Sequence, residues 1–399
     1  MSGERASAAA VPHRAEIVVD LAAIRHNVRR LRALTRTPDG GGPLMMTVVK
    51  ADGYGHGMVP VARAAREAGA DWLGVATLDE AVALRDGHDR GRVLCWMAVP
   101  GEEYAPAIER DIDVSAYSLA QLAEIEQAAV EQGTTARVQL KVDTGLSRGG
   151  CLPVDWPALV DAARSAEERG AVRITGLWSH LACADDPAHP ANDEQERVFL
   201  DAIEAARGAG LRPEVRHLAN SAAAVLRPSS HFDMVRVGIA SYGLDPAPGA
   251  TGDLGLVPAM TVRATLAMVK RVEAGASVSY GHRWTAPAPT TLGLVPAGYA
   301  EGLPRAASNR GNVWAAGSRR PIRGTLCMDQ FVIDLGDDTA AAGDTVEIFG
   351  TGHDGAPTAQ EWAEVVDTIN YEIVTRVGGR LARVHVDSET AATAREDDQ

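Results

Sequence analysis

Only three lysines, Lys50, Lys141 and Lys270, stand beside 36 arginines in this chain. Arginine keeps its proton near neutral pH and cannot form an imine with an aldehyde. Lysine can, once burial or neighbouring cations lower its pKa. A bias in base composition accounts for much of the arginine excess, but not for where the lysines fall. Lys50 ends an apolar run and opens a glycine-rich turn, Val48-Val49-Lys50-Ala51-Asp52-Gly53-Tyr54-Gly55-His56-Gly57. Lys141 lies in Leu140-Lys141-Val142-Asp143-Thr144-Gly145, whereas Lys270, in Val269-Lys270-Arg271-Val272, reads as a solvated strand lysine without a role. An imine-forming lysine needs a ligand to hold. The amides of Gly238 and Ile239, with the Ser221 hydroxyl, could form a concavity for one phosphate. A phosphorylated aldehyde, pyridoxal phosphate, meets both demands. No Walker pattern, no G-x-G-x-x-G, no HExxH and no metal-spaced Cys/His cluster is read. Nucleoside triphosphates, dinucleotides and metals are therefore not expected.

These groups must be brought together by a fold. Eight apolar runs read as strands, at 44–49, 72–76, 92–97, 113–115, 138–142, 173–179, 214–218 and 233–237. Helical stretches separate them, for example at 118–132, 155–168 and 193–206, and Leu21, Ile24, Val28, Leu31 and Leu34 share one helical face. Eight such alternations predict a (β/α)₈ barrel over residues 13–250, with a doubly wound sheet as the structural alternative. A barrel works at the C-terminal ends of its strands. Lys50 follows the first strand; Asp143, Gly145 and Arg148 follow the fifth. His180 ends the sixth, His217, Asn220 and Ser221 follow the seventh, and Arg236, Gly238 and Ile239 the eighth. One histidine at a strand end is more often a hydrogen-bonded core residue than a catalyst; the joint pattern is harder to dismiss.

A Pro/Gly stretch at 245–255 reads as a linker to a mainly-β domain at 251–388. That domain has strand-like runs at 260–272, 291–296, 312–316, 331–335 and 344–349 and one helix at 359–377. Residues 1–12 and 389–399 read as disordered tails. A net charge of −14 argues against nucleic acid and anionic membrane as partners. Four dispersed cysteines without a CxxC read as free thiols in a reducing, cytoplasmic compartment. No stretch approaches membrane-spanning length, and no signal-peptide core is read.

At these residues the chain resembles the alanine racemases, over about residues 13–386. The glycine-rich lysine segment around Lys50 carries the resemblance most specifically. It continues through Lys141-Val142-Asp143-Thr144-Gly145, His217-Leu218-Ala219-Asn220-Ser221, Arg236-Val237-Gly238-Ile239, Ser279-Tyr280-Gly281, Pro296-Ala297-Gly298-Tyr299-Ala300, Cys327-Met328-Asp329-Gln330 and Asn370-Tyr371-Glu372. The resemblance implies a racemase that interconverts L- and D-alanine for peptidoglycan. It also implies a homodimer whose active sites are shared between subunits. Lys50 would hold pyridoxal phosphate and act as the base toward the D-substrate, and Tyr280 of the other subunit would act on the opposite face. Arg236 would face the pyridine nitrogen, buttressed by His217, with His180 in a proton network beside Tyr280. Tyr54, Ser221, Gly238, Ile239 and Tyr371 would hold the phosphate. Arg148 would reach the cofactor's phenolic oxygen and the substrate carboxylate, which the Met328 amide would also meet. Lys141 would be carbamylated; the plain alternative is an ion pair with an acidic neighbour. Tyr299, Glu301, Arg305 and Asp329 would line a narrow substrate corridor.

Two positions depart from the family pattern. Gly149 follows Arg148 where an apolar residue is more usual, and Thr325 stands where an arginine is common. Other readings use the same residues: a racemase of serine or another small amino acid, a non-catalytic pyridoxal-phosphate carrier, or a decarboxylase. A carrier would not need Tyr280 or Met328. A decarboxylase would set an acid, not Arg236, against the ring nitrogen.

Overall fold

The computed structural model describes residues 13–37 and 40–388. The two expected tails, and residues 38–39, lie outside the described residues. The described residues divide into two compact units, one of residues 23–257 and one of residues 13–22 together with 258–388.

The chain begins with strand β1 (Ala15–Asp20), which belongs to the second unit, and helix α1 (Leu21–Leu34). The first unit then lays down eight parallel strands: β2 (Leu44–Val48), β3 (Trp72–Val75), β4 (Arg92–Cys95), β5 (Asp113–Ala116), β6 (Ala136–Lys141), β7 (Val172–Trp178), β8 (Val215–His217) and β9 (Met234–Val237). Their order is β8-β7-β6-β5-β4-β3-β2-β9. Backbone bonds from Asp233 N to Arg216 O and from Arg236 N to Ala219 O, each 3.0 Å, join β8 to β9 and close the barrel. Between the strands run α2 (Lys50–Tyr54), α3 (Met58–Glu67), α4 (Leu78–Asp86), α5 (Ala105–Glu109), α6 (Leu119–Gln132), α7 (Trp156–Glu168), α8 (Ala191–Gly208) and α9 (Ser221–Leu226). The expected barrel is therefore the fold of this unit. Its strands are buried on both faces, which is why they read as apolar runs and not as alternating ones. Met46, Trp72, Leu94, Val215 and Met234 form one apolar cluster of the core.

The second unit is a nine-stranded sheet of β1 with β10 (Met260–Thr265), β11 (Met268–Val272), β12 (Thr290–Val295), β13 (Asn312–Ala315), β14 (Ser318–Arg323), β15 (Phe331–Gly336), β16 (Thr345–Phe349) and β17 (Ala382–Val386). Its pairings are antiparallel except β1 with β17. Helices α10 (Ala359–Val365) and α11 (Asn370–Arg376) complete it. The structure differs from expectation in three places. Residues 15–20, expected within the barrel segment, are a strand of this sheet, paired with β10 and β17. The run 260–272 is two strands, because β10 pairs with β1 and β16 while β11 pairs with β12. The helix expected at 359–377 is two, broken where Asp367 takes φ +60°.

One G-x-G-x-x-G string, Gly350 to Gly355, does occur. It follows an antiparallel strand, β16, and runs into a single 3₁₀ turn at His353–Gly355. It therefore lacks the βαβ setting that a dinucleotide site requires. Among the described residues no helix is long and apolar enough to cross a membrane. Nor does any group of three or more His, Cys, Asp or Glu side chains there have the geometry to hold a metal ion. All four cysteines are free.

Candidate active site

Lys50 leaves the end of β2 and enters a backbone that turns the wrong way for L-residues. Ala51, Asp52, Gly53 and Tyr54 all have φ between +51° and +63°, so α2 is a left-handed turn. Left-handed helical geometry costs about 1–2 kcal/mol for each residue with a Cβ. The surroundings hold it in place. Gly53 N donates to Val49 O (2.8 Å), Gly55 N to Ala51 O (3.0 Å) and Gly57 N to Asp52 O (2.8 Å). Ala51 N donates to Glu80 Oε1 (2.6 Å), and Met58 N to Asp52 Oδ1 (2.8 Å). The Tyr54 and His56 rings rest against Tyr242, with centroids 4.8 and 4.6 Å away, and the Tyr242 hydroxyl donates to Val48 O (2.9 Å). Strain of this kind concentrates at functional positions. Here it fixes where Lys50 stands.

The other expected barrel residues gather around it. Burial first, then the Arg148 cation, lowers the Lys50 ammonium below its ordinary range, against a small opposing pull from Glu80. Burial, then Arg236 and Arg148, brings Lys141 down to about 8. The Lys141 ammonium lies 4.5 Å from the centre of the Trp178 ring. Among the described residues Lys141 makes no salt bridge; Asp143, whose charge raises it against the burial, accepts through Oδ1 from the amides of Gly145 (2.9 Å) and Ser147 (3.1 Å). Arg236 is buried, and burial lowers it to about 9, so it remains a cation at neutral pH. It donates to His217 Nδ1 (3.0 Å), His180 Nδ1 (3.1 Å), Ser179 O (2.9 Å) and Leu218 O (3.1 Å). Both histidines therefore accept, and both are held well below the ordinary histidine range, by burial first and by Arg236 next. Among the described residues, Lys50, Lys141, Arg148 and Arg236 form no salt bridge with a carboxylate. Lys141 and Arg236 are buried and Lys50 half-buried, and such unpaired, partly desolvated cations favour an anionic ligand; Arg148 is exposed and adds to their field.

Beside them, the Gly238 amide donates to the Ser221 hydroxyl (2.7 Å), at the start of α9. A Cβ at Gly238 would lie 2.3 Å from the Tyr54 hydroxyl, so only glycine fits. Tyr54 and Ser221 both approach Gly238, and Tyr54, Ser221 and Ile239 are all buried.

The remaining expected residues lie in the second unit, where Tyr280, Tyr299, Met328 and Asp329 line one cleft of about 660 Å³. Tyr280 is 75% exposed and Met328 53%. Ser279 takes φ +63°, and its hydroxyl donates to Thr325 O (2.6 Å). Thr325, at the position that departs from the family pattern, donates to the Tyr280 carbonyl (2.8 Å) and so fixes the backbone of that tyrosine. The Met328 backbone N–H has no acceptor among the described residues. Glu301 is fully buried under the Gly298 turn, whose amide donates to it (2.8 Å), and it ion-pairs with Arg380 (2.5 Å) and Arg14 (3.4 Å). Arg380 also meets Asp329 (2.6 Å). Arg305 is exposed, and Tyr371 lies on α11. Lys270 is exposed on β11.

Three residues escaped sequence reasoning. Glu80 holds the left-handed turn through Ala51. Trp178 lies under Lys141 and Arg236 and stacks on His217, with centroids 5.7 Å apart and planes within 6°. Gln139 accepts from the other nitrogen of His217 at 2.7 Å. The signal for Gln139 was present: Arg137, Gln139 and Lys141 alternate along β6, so all three point to one face.

A lysine that opens a strained left-handed turn, and three further cations without a carboxylate salt bridge among the described residues, at the C-terminal ends of the parallel barrel strands mark an enzyme that handles an anionic, amine-reactive ligand. The comparisons narrow that class. Residues 19–246 match the family model of the alanine racemase N-terminal domain, and residues 259–385 that of the alanine racemase C-terminal domain. The alanine racemase of Streptomyces coelicolor is 52% identical over 380 residues, 94% of this chain and 96% of its own. That of Frankia casuarinae is 53% identical over 371 residues, covering 92% and 95%. The crystal structure of alanine racemase from a D-cycloserine-producing Streptomyces lavendulae matches with a TM-score of 0.92 at 52% identity, over 95% of this chain and 98% of the other. The Bartonella henselae enzyme, solved with covalently bound pyridoxal phosphate, matches with a TM-score of 0.83 at 27% identity, over 94% and 100%. The chain belongs to the alanine racemase family.

Proposed function

We propose that the protein interconverts L- and D-alanine with pyridoxal phosphate as cofactor, as a homodimer whose subunits complete each other's active sites. The observation that carries this reading is Lys50. It is an amine depressed by burial and by Arg148, fixed by a left-handed turn, in a mouth whose cations form no carboxylate salt bridge among the described residues. The residues present fit the cofactor. Lys50 would hold it covalently; Tyr54, Ser221, Gly238, Ile239 and Tyr371 would take its phosphate. Arg236 would face its ring nitrogen, and Arg148 its phenolic oxygen. When bound, it supplies an aldehyde for the substrate amine and a conjugated ring that makes the α-proton acidic.

The chain's own groups do the rest. Lys50 Nζ takes or returns the α-proton on one face of the substrate, acting on the D-enantiomer. Tyr280 of the other subunit serves the opposite face, and its exposure on its own unit supports a role outside that unit. Inversion needs two such bases, because one alone returns the proton to the side it left. Arg236 keeps its proton at neutral pH, so it would leave the ring nitrogen unprotonated; His217 and His180 accept from it and hold it in place. Arg148 and the Met328 amide bind the substrate carboxylate. Lys141, brought down to about 8, has an appreciable neutral fraction that can add carbon dioxide. A new N–C bond forms, a proton is released, and the resulting carbamate anion offsets Arg148 and Arg236. Tyr299, Glu301, Arg305 and Asp329 would form the corridor that limits the side chain, with Glu301 acting from beneath. D-Alanine so made would serve peptidoglycan. The four free cysteines fit a reducing cytoplasm.

The test is D-alanine formation from L-alanine by purified protein with pyridoxal phosphate, beside L-serine and a Lys50→Ala variant. Turnover of alanine that vanishes in the variant is expected. Preferential turnover of serine would reassign the substrate, and cofactor binding without turnover of either would leave a carrier.

A further inference from the structure

Below the mouth, a chain of buried polar groups runs through the barrel interior. His217 Nε2 meets Gln139 Oε1 at 2.7 Å, and Gln139 Nε2 donates to Asp113 Oδ2 at 3.1 Å. Asp113 Oδ1 accepts from Arg137 Nε at 2.6 Å, and Arg137 reaches on to Glu214 at 3.1 Å. Asp113, Gln139 and His217 have no exposed surface. The fold makes room for this chain. The β6–β7 pairing shifts register between Val138 and Gln139, which sets Gln139 opposite Gly176. A Cβ at Gly176 would fall 2.6 Å from the Gln139 amide oxygen.

Donor and acceptor capacities then leave one arrangement. Asp113, a carboxylate beside Arg137, only accepts, so Gln139 must turn its NH₂ toward it. The amide oxygen therefore faces His217, so His217 must carry its proton on Nε2. Its Nδ1 is left bare to receive Arg236 Nη1, 3.0 Å away. Thr175 Oγ1 also donates to Asp113 Oδ2, which anchors that carboxylate, and Ser115 Oγ donates to the backbone carbonyl of Gln139 (3.2 Å). Trp178 donates to Ser115 Oγ (2.9 Å) while stacking on His217.

We propose that Gln139 and Asp113 are positioning residues for Arg236: they lock His217 as its Nε2–H tautomer and so hold the guanidinium at the mouth in one orientation. This rests on the proposed function only in giving Arg236 a cofactor to face; the tautomer itself does not depend on it.

The experiment is ¹⁵N spectroscopy of histidine-labelled holoprotein, with His217 assigned by His217→Asn, in the wild type and in two variants. Asp113→Asn is isosteric. Its carbonyl can keep Arg137, but its NH₂ then faces Gln139, reversing that amide and forcing the His217 proton onto Nδ1 against Arg236. Gln139→Met keeps volume and removes the acceptor. The wild type should show a bare Nδ1 and a protonated Nε2, Asp113→Asn the reverse, and Gln139→Met a mixture. In both variants kcat should fall about tenfold or more while KM for alanine changes less than about twofold. Should Asp113→Asn not fold, Gln139→Met decides alone. A wild type protonated at Nδ1, or a His217 tautomer unchanged in the folded variants, overturns the proposal. Absence of racemisation by the wild type would instead strike the proposed function, because the tautomer is read without turnover.

Discussion

Lys141 should make the protein less stable than it would be without it. The side chain is 8% exposed, lies among Arg236, Arg148 and Lys50, and has no carboxylate salt bridge among the described residues. Its ammonium falls from an ordinary 10.5 to about 8. At ~1.4 kcal/mol per pH unit, that depression caps the cost of the buried charge at about 3.4 kcal/mol. Relaxation and water penetration bring the expected value nearer ~2 kcal/mol. The sign follows from linkage. A lysine depressed in the folded state binds fewer protons there than in the unfolded chain between about pH 8 and 10.5, so stability rises with pH across that window. Lys141→Met keeps the length and removes the charge. In carbon dioxide-free buffer the variant should be the more stable by about 2 kcal/mol below pH 8, and the gap should close toward pH 10.5. Bicarbonate should narrow the gap from the other side by converting the wild-type lysine to its carbamate. Activity should fall all the same, because Arg148 loses the anion that orients it. Urea unfolding of both proteins from pH 6.5 to 10.5, with and without bicarbonate, reads all of this. A variant no more stable than the wild type below pH 8, or a gap that does not change with pH, would refute the reasoning.

Gly238→Ala should drive a methyl to within 2.3 Å of the Tyr54 hydroxyl, whose ring is backed by Tyr242. Overpacking of this kind costs about 1–3 kcal/mol, so thermal unfolding should move down and absorbance titration should show weakened cofactor binding. Glu301→Gln breaks the pairing with Arg380 and Arg14 beneath the Gly298 turn; because both arginines are half-exposed, denaturant unfolding should show a loss of only about 1–3 kcal/mol. Shared sites predict complementation. Lys50→Ala and Tyr280→Phe, each inactive alone, should regain about one quarter of wild-type activity when co-expressed, since half of the dimers are mixed and each of those holds one intact site. Recovery no greater than the sum of the two variants would place both bases on one chain.

The barrel was legible because its strands are buried on both faces and read as apolar runs, and because the strand ends carried Lys50, Arg148, His180, His217 and Arg236 in order. The lysine turn was legible as a site, but not as a left-handed turn: Ala51, Asp52 and Tyr54 have side chains that disfavour that backbone, and the Glu80 bond and the Tyr242 packing that offset it come from elsewhere in the fold. Strand β1 was invisible because its partners lie more than 240 residues away, and six residues such as Ala15–Asp20 carry no local signal of that pairing. The division of 260–272 into two strands is likewise a matter of partners rather than of composition. Gln139 and Asp113 were passed over because polar residues in a strand are ordinarily taken to face water, whereas a barrel of this kind turns every second residue inward.

Lys50 and Tyr280 are proposed to serve opposite faces of one substrate. Exchange of the α-proton into D₂O, followed by NMR separately from L- and from D-alanine, tests it most directly. The wild type should exchange both enantiomers. Tyr280→Phe should still exchange D-alanine while its exchange of L-alanine collapses, and Lys50→Ala should exchange neither. Equal loss of both enantiomers in Tyr280→Phe, or loss confined to D-alanine, would contradict the assignment of the two bases.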